Sequence, residues 1–404
     1  MANNPPVIQS WLDTDFYKFT MGQLVFHRHN DVPVKYSLIN RKRNIPLADY
    51  IDEQELRREL DSLRRLAPDS SELSYLRRLE IGGRKIFSED YLSFLGTVRL
   101  PDYELKIAGR ELIFSVSGIW SSAIYWEVFA LSIINELYCR AKEAAMTPRE
   151  RREIESSGVK NLTDKIDFLK RNPGIRIIDF GTRRRFGRQW HGYVVKTLKQ
   201  ELSPQQFLGT SNVRLAMDYG IAPIGTLAHE MYMAMAGIRW DNVRASHNEV
   251  LKEWWNEYGA ALSIALTDNY GSDFFFSDMT GEQARQWKGL RHDSGLPLEF
   301  AEKAIAFYKK HGIDPKEKVL VFSDSLTLPS IAEIYEKLKN RTNVAFGWGT
   351  NLTNDRGIEP LSIVIKLTES CGHGIVKLSD DTGKSTGTQR DIEHFRNMFS
   401  ASMA

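Results

Sequence analysis

The chain has 404 residues, 42% of them hydrophobic and 26% charged, an ordinary globular composition that excludes a single small module or a disordered chain and suits two or three domains. A net charge of +2 provides no global field to steer the protein to nucleic acid or a membrane, so any basic site has to be local. The two cysteines, Cys139 and Cys371, are too few for a disulfide framework and lack the CxxC spacing of a zinc site, which fits a reducing compartment.

In chain order, the opening MANNPPVIQSWLDTDFYKF has no basic region followed by an apolar one, so it does not read as a secretory signal, and the expected location is cytoplasmic. VKYSLIN (34–40) alternates as a strand does. Residues 48–67 place Leu56, Leu60 and Leu63 on one face of a charged helix. Residues 104–118 read as a β-hairpin turning at Gly109. A long helical segment follows over 120–146, with Ile124, Val128, Leu131, Ile134 and Tyr138 on one stripe. Glu127 and Asn135 interrupt it, which rules out a membrane span. The charge-dense 147–155 reads as a solvated helix.

From residue 175 the pattern changes to short apolar runs that end in polar, Gly-containing clusters: IRIIDFGTRRR, QFLGTSN, APIGTLAHE, SIALTDNYG, KGLRHDSG, VLVFSDS and VAFGWGTN. Seven such strand ends over 175–352 favour a parallel α/β barrel above a doubly wound open sheet, with the polar clusters sharing one face. After Pro360, LSIVIKLTE and GIVKLSDD read as two strands joined through CGHG, expected to return to the N-terminal sheet. The expected organisation is an irregular barrel domain over 119–357 and an α/β sandwich domain from 1–118 and 358–404.

Several strand ends carry residues suited to chemistry. The Asp179–Arg185 run, DFGTRRR, brings guanidinium groups that pair bidentately with carboxylate or phosphate. Gly209–Asn212 and Gly347–Asn351 combine glycines and hydroxyls that let backbone N–H groups approach a phosphate. Asp268, Asp273, Asp293 and Asp324 bring carboxylates to the same face, where they could stabilise a cation, hold Mg²⁺ through waters or bind sugar hydroxyls, or else simply cap helices. His229, in GTLAHEMY, could be a nucleophile, a base, a ligand or structural.

Nine motifs, in this order and spacing, resemble the nicotinate phosphoribosyltransferase family of bacterial type: LDTDFYKFTMGQ, DFGTRRRFGRQW, FLGTSN, PIGTLAHE, ALTDNYG, GLRHDSG, VFSDSL, FGWGTNLTND and VKLSDDTGK. The resemblance runs from Leu12 to Lys384. It implies an irregular α/β barrel joined to an α/β sandwich, and a homodimer with active sites at the subunit interface. The implied reaction joins nicotinate to phosphoribosyl pyrophosphate, yielding nicotinate mononucleotide and pyrophosphate for NAD salvage, with ATP as co-substrate and Mg²⁺ expected. Tyr17, lent by the partner subunit, and Phe180 would sandwich the pyridine ring. Arg183, Thr210, Ser211 and Arg291 would complete the substrate site, while Ser294, Asp324, Gly347, Gly349 and Thr350 would serve phosphate and ribose. His229 would be phosphorylated from ATP, with Asp268 as the acceptor that fixes its tautomer rather than the adjacent Glu230, and Asp293 would lie near the ribose. Metal ligands are not assigned.

Two positions depart from the family pattern: Leu296 stands where an acidic residue usually follows Gly295, and Thr382 replaces a proline. The nearest rival is the enzyme that uses nicotinamide, which carries an acidic residue where this chain has Ser211, so a neutral Ser211 favours the acid. A non-enzymatic anion- or RNA-binding module built on Arg183–Arg185 and Arg188 would instead show steep salt dependence without turnover.

Overall fold

The computed structural model describes residues 5–42 and 44–400; the first and last four residues assigned above to the sandwich lie outside the described residues. The strands are β1 Pro33–Asn40, β2 Glu80–Ile81, β3 Arg84–Lys85, β4 Tyr103–Ala108, β5 Glu111–Ile119, β6 Ile177–Asp179, β7 Phe207–Thr210, β8 Ile264–Leu266, β9 Gly289–His292, β10 Val319–Phe322, β11 Asn343–Trp348, β12 Ile363–Ser370 and β13 His373–Gly374. They form two main sheets and a small β2–β3 hairpin.

One sheet is antiparallel in the order β13-β12-β1-β5-β4, so the strands after Pro360 do return to the N-terminal sheet, with Ile39 opposite Val364 and Tyr36 opposite Leu367. The β4–β5 turn falls at Gly109, whose φ of +62° is the left-handed conformation that favours glycine. The strand expected over GIVKLSDD does not form: β13 falls in the CGHG link and shares only Gly374 with that run. Beyond Gly374 the chain leaves the ladder and is tied down locally, through the Lys377–Thr386 bridge.

The other sheet is parallel in the order β7-β6-β11-β10-β9-β8. Six of the seven expected runs form its strands. The seventh, APIGT, makes only an isolated bridge between Pro223 and Thr210. Pro223 has no N–H to continue a ladder, yet the segment fills the gap between β7 and β8. On one side the Ile224 N–H donates to Thr210 O (2.8 Å), and on the other His229 reaches Asp268. This makes the α/β barrel irregular.

The helix over 53–65 is shorter than the charged pattern around it because Asp52 caps it, accepting from the Glu55 N–H; Leu56, Leu60 and Leu63 are buried. The expected 120–146 helix is two, Trp120–Ala123 and Trp126–Ala144, meeting at Ile124–Tyr125, where the Tyr125 hydroxyl is buried against that of Tyr91 (2.8 Å). Every residue from Trp126 to Cys139 is buried, which places the acidic Glu127 inside the protein. The helix Pro148–Arg171 begins with a Thr147–Glu150 capping box and an exposed first turn, as its charges require.

The segment before the helix Phe16–Arg28 is bound to the barrel. Asp13 takes a bidentate pair from the buried Arg185 (2.6 and 2.9 Å), Asp15 bridges Asn212, and the Phe16 N–H donates to Ser211 O (2.7 Å). Residues 12–20 are thereby fixed against the ends of β6 and β7.

Candidate active site

The strand ends of the barrel, the start of the helix Phe16–Arg28 and the inner face of β12 enclose a cavity of about 260 Å³. Its wall includes Tyr17, Phe180, Arg183, Ser211, His229, Arg291, Asp293, Asp324, Gly347, Gly349 and Thr350 from the expected set.

At one end stand Tyr17, Phe180, Arg183 and Ser211. Tyr17 belongs to this same chain, which corrects the expectation of a tyrosine lent by a partner: the Asp15–Asn212 bridge and the Phe16–Ser211 bond hold the chain's own Tyr17 at its own barrel. Phe180 is seated by glycine. A Cβ on Gly347 would lie 2.3 Å from its ring, and one on Gly349 would lie 3.1 Å from its carbonyl oxygen. The Ser211 hydroxyl donates to Asp15 (2.6 Å), whose carboxyl burial pushes up. Arg183 Nη1 donates to Glu127 (3.0 Å).

Thr210 is not at the wall. Its hydroxyl donates to Asp179 (2.6 Å), which also accepts from the Gly181 N–H (2.8 Å) and pairs with His191 (2.7 Å). It braces the turn that carries Phe180 and Arg183. Asp273 does not join the other carboxylates, because it lies in the first turn of the helix Ser272–Asp278, exposed and paired with Lys303 (2.7 Å). Leu296 is 64% exposed at the start of the helix Pro297–Lys310.

At the other end, His229 opens the helix His229–Ile238 and is buried. Its Nε2 lies 2.8 Å from Asp268 Oδ1 and 3.8 Å from Asp293 Oδ2. Burial, followed by the neighbouring Lys377, outweighs the pull of Asp268 and pushes the imidazole down to about 4. The ring is therefore neutral at pH 7, with Nε2–H directed at the carboxylate and the other nitrogen carrying its lone pair. Asp268 Oδ2 accepts from Ser294 (2.5 Å) and pairs with Lys377 (3.1 Å). Ser294 thus acts on Asp268 and lies off the wall. Glu230 faces elsewhere, accepting from Lys18, Tyr36 and Trp120.

The ligand atoms of His229, Asp268 and Asp293 lie within 4.8 Å of one another. Asp268 already has both oxygens engaged, whereas Asp293 accepts from the Ser323 hydroxyl at Oδ1 (2.7 Å) and, among the described residues, has no hydrogen bond at Oδ2, which faces His229 at 3.8 Å. That suits a hard cation held by one carboxylate together with water and phosphate oxygens.

Several wall residues were missed by the sequence reading. Lys377 and Lys384, both in VKLSDDTGK, pair with Asp268 and Asp324 respectively. Behind the wall, Lys18 is fully buried between Glu127 (2.7 Å) and Glu230 (2.6 Å). Arg41 and Lys366, also missed, and Arg184 from the DFGTRRR run already noted add further basic groups to the cavity. The available signal was a charged residue inside an apolar run, as in IVIKL, GIVKL and WEVFAL.

Residues 175–403 match the nicotinate phosphoribosyltransferase (NAPRTase) family and residues 12–135 match that family's N-terminal domain. A crystal structure of nicotinate phosphoribosyltransferase from Porphyromonas gingivalis is 31% identical, with 98% of this chain and all of that one covered and a TM-score of 0.86. One from Vibrio cholerae is 33% identical, with 95% and 91% covered and a TM-score of 0.85. With these matches spanning both sheets and the cavity between them, the chain belongs to the nicotinate phosphoribosyltransferase family.

Proposed function

We propose that the protein transfers the phosphoribosyl group of phosphoribosyl pyrophosphate to nicotinate, releasing nicotinate mononucleotide and pyrophosphate, and that ATP drives the reaction through a phosphohistidine at His229. The observation that carries this reading is the composition of this cavity. Two aromatic residues and Arg183 stand at one end, a neutral carboxylate-held histidine stands at the other, and a cation-rich wall connects them. A flat anionic base suits the first end, and two phosphorylated substrates suit the rest.

In the transfer step the pyridine nitrogen forms a bond to the ribose C1 as the C1–O bond to pyrophosphate breaks and the electron pair leaves with pyrophosphate. Charge develops on the ribose, and Asp293, whose Oδ2 faces the cavity, is placed to stabilise it. Arg41, Arg184, Arg291 and Lys384 line the region that the departing anion would occupy. Mg²⁺, held through Asp293 and phosphate oxygens, would neutralise pyrophosphate charge. In the coupling step the free His229 nitrogen takes the γ-phosphoryl group and ADP leaves; later hydrolysis of the N–P bond restores the imidazole. The added charge, about −1.5 to −2, would sit beside Lys377 and raise the cost of keeping the Asp268 pair as it is, favouring a rearranged wall around pyrophosphate.

The test is pyrophosphate release followed continuously. Release is expected to require both nicotinate and phosphoribosyl pyrophosphate and to accelerate with ATP. Release without nicotinate, or none under any condition, would overturn the reading. Gly347→Ala offers a local check: its Cβ would collide with the Phe180 ring, costing about 1–3 kcal/mol of stability in denaturant unfolding and raising KM for nicotinate.

A further inference from the structure

Lys366 lies on β12, in the run IVIKL, and lines the cavity. Its two strand neighbours, Ile365 and Leu367, are buried. Among the described residues its ammonium makes no hydrogen bond or ion pair. The carboxylate that acts on it most, Glu127, is already committed, since its Oε2 holds Lys18 (2.7 Å) and its Oε1 holds Arg183 (3.0 Å). Glu230, on the helix packed against β12, is likewise engaged with Lys18, Tyr36 and Trp120. Lys377 and Lys384 differ in being paired with Asp268 and Asp324.

The charges that act on Lys366 locate it. Arg183 is the strongest charge acting on Arg41 and Arg184 as well, but the carboxylates that act on those two include Asp293 and Asp324, at the transfer end. For Lys366 the acting carboxylate is Glu127, on the helix Trp126–Ala144 that packs against β12; Glu127 holds Arg183, and both act on Tyr17 at the base end. Building on the proposed reaction, we propose that Lys366 is the ammonium that joins Arg183 in taking the carboxylate of the base, and so sets the preference for the acid over the amide. Arg183, with one N–H committed to Glu127, presents its remaining N–H groups, and Lys366 supplies a second cation that no carboxylate pairs with directly among the described residues.

The charge state of Lys366 yields a second readout. Burial, together with Arg183, Lys377 and Arg41, outweighs the pull of Glu127 and pushes the amine down to about 7. Three titratable groups on the packed elements stay clear of that pH: Tyr36 is raised well above its ordinary value, Glu127 is held below its own and His229 is lowered to about 4. A bound carboxylate favours the ammonium, so nicotinate binding takes up a proton above pH 7 and little below it, whereas the uncharged amide has no such effect.

The experiment compares the wild-type enzyme with Lys366→Met and Lys366→Arg, using nicotinate and nicotinamide as alternative bases. Lys366→Met is expected to raise KM for nicotinate about tenfold or more, to leave KM for phosphoribosyl pyrophosphate within about twofold and to shrink the nicotinate-to-nicotinamide ratio of kcat/KM by the same factor. Lys366→Arg is expected to restore most of that ratio. Independently of any variant, proton uptake on nicotinate binding, measured calorimetrically at pH 8 in two buffers of different ionisation enthalpy, is expected in the wild type. A rise in the phosphoribosyl pyrophosphate KM alone, an unchanged base ratio or no proton uptake would each overturn the assignment of Lys366. An absence of nicotinate turnover in the wild type would instead overturn the reaction on which it rests.

Discussion

The His229→Asn enzyme is expected to lose ATP hydrolysis by at least about a thousandfold, and with it all acid-labile label from γ-labelled ATP, while retaining slow synthesis of nicotinate mononucleotide without ATP. The asparagine keeps a donor for Asp268 but has no ring nitrogen with a lone pair to attack phosphorus. Retention of ATP-independent synthesis follows from the layout of the cavity. Among the described contacts His229 meets Asp268 and Asp293 and neither Tyr17 nor Phe180, and Asp293 keeps the hydrogen bond from Ser323 (2.7 Å) whatever side chain stands at 229. Labelling of the variant at wild-type stoichiometry would place the phosphorylated group elsewhere, and complete loss of synthesis would make His229 part of the transfer step itself.

Lys18→Met is expected to have the largest effect on stability. The wild-type ammonium is fully buried and sits 2.7 Å from Glu127 and 2.6 Å from Glu230. Removing it leaves two buried carboxylates with less than their full complement of cations, a loss of about 3–5 kcal/mol in denaturant unfolding at pH 7. The pH dependence separates charge from packing. Burial would raise the Glu127 carboxyl, but Lys18, Lys366 and Arg183 prevail and hold it below its ordinary value. Its contribution to stability is therefore fully present above the unfolded pKa and is lost as pH falls through the folded one. In the variant the carboxylates lack that cation, so the gap between wild type and variant should narrow from pH 7 to pH 5. A gap of constant size would mean that methionine merely packs badly there.

The sequence reading succeeded where local pattern and chain geometry coincide. Leu56, Leu60 and Leu63 show the buried face of a helix, Gly109 marks a turn that requires positive φ, and strands ending in DFGT, FLGT and FGWG deliver their polar residues to one face. It failed where tertiary contacts decide. Thr210 and Ser294 stand at strand ends like their neighbours, yet their hydroxyls turn inward to Asp179 and Asp268, because those buried carboxylates need donors. Asp273 lies only five residues beyond Asp268, but a helical turn carries it to the surface. Tyr17 is retained by its own chain through backbone bonds from Asp15 and Phe16 to the loop after β7, which no periodicity reveals. Lys18, Glu127 and Lys366 were visible as charges inside apolar runs, but which of them pair with each other depends on the approach of three distant elements.

The central claim, that this cavity selects nicotinate as the acceptor of a phosphoribosyl group, is tested most directly by competition. Equimolar nicotinate and nicotinamide are supplied with limiting phosphoribosyl pyrophosphate and ATP, and the two mononucleotides are quantified by mass spectrometry. Two cations at the base end against a neutral amide predict a product ratio of about a hundredfold or more in favour of nicotinate mononucleotide. Comparable amounts of the two products, or an excess of the nicotinamide product, would contradict the account.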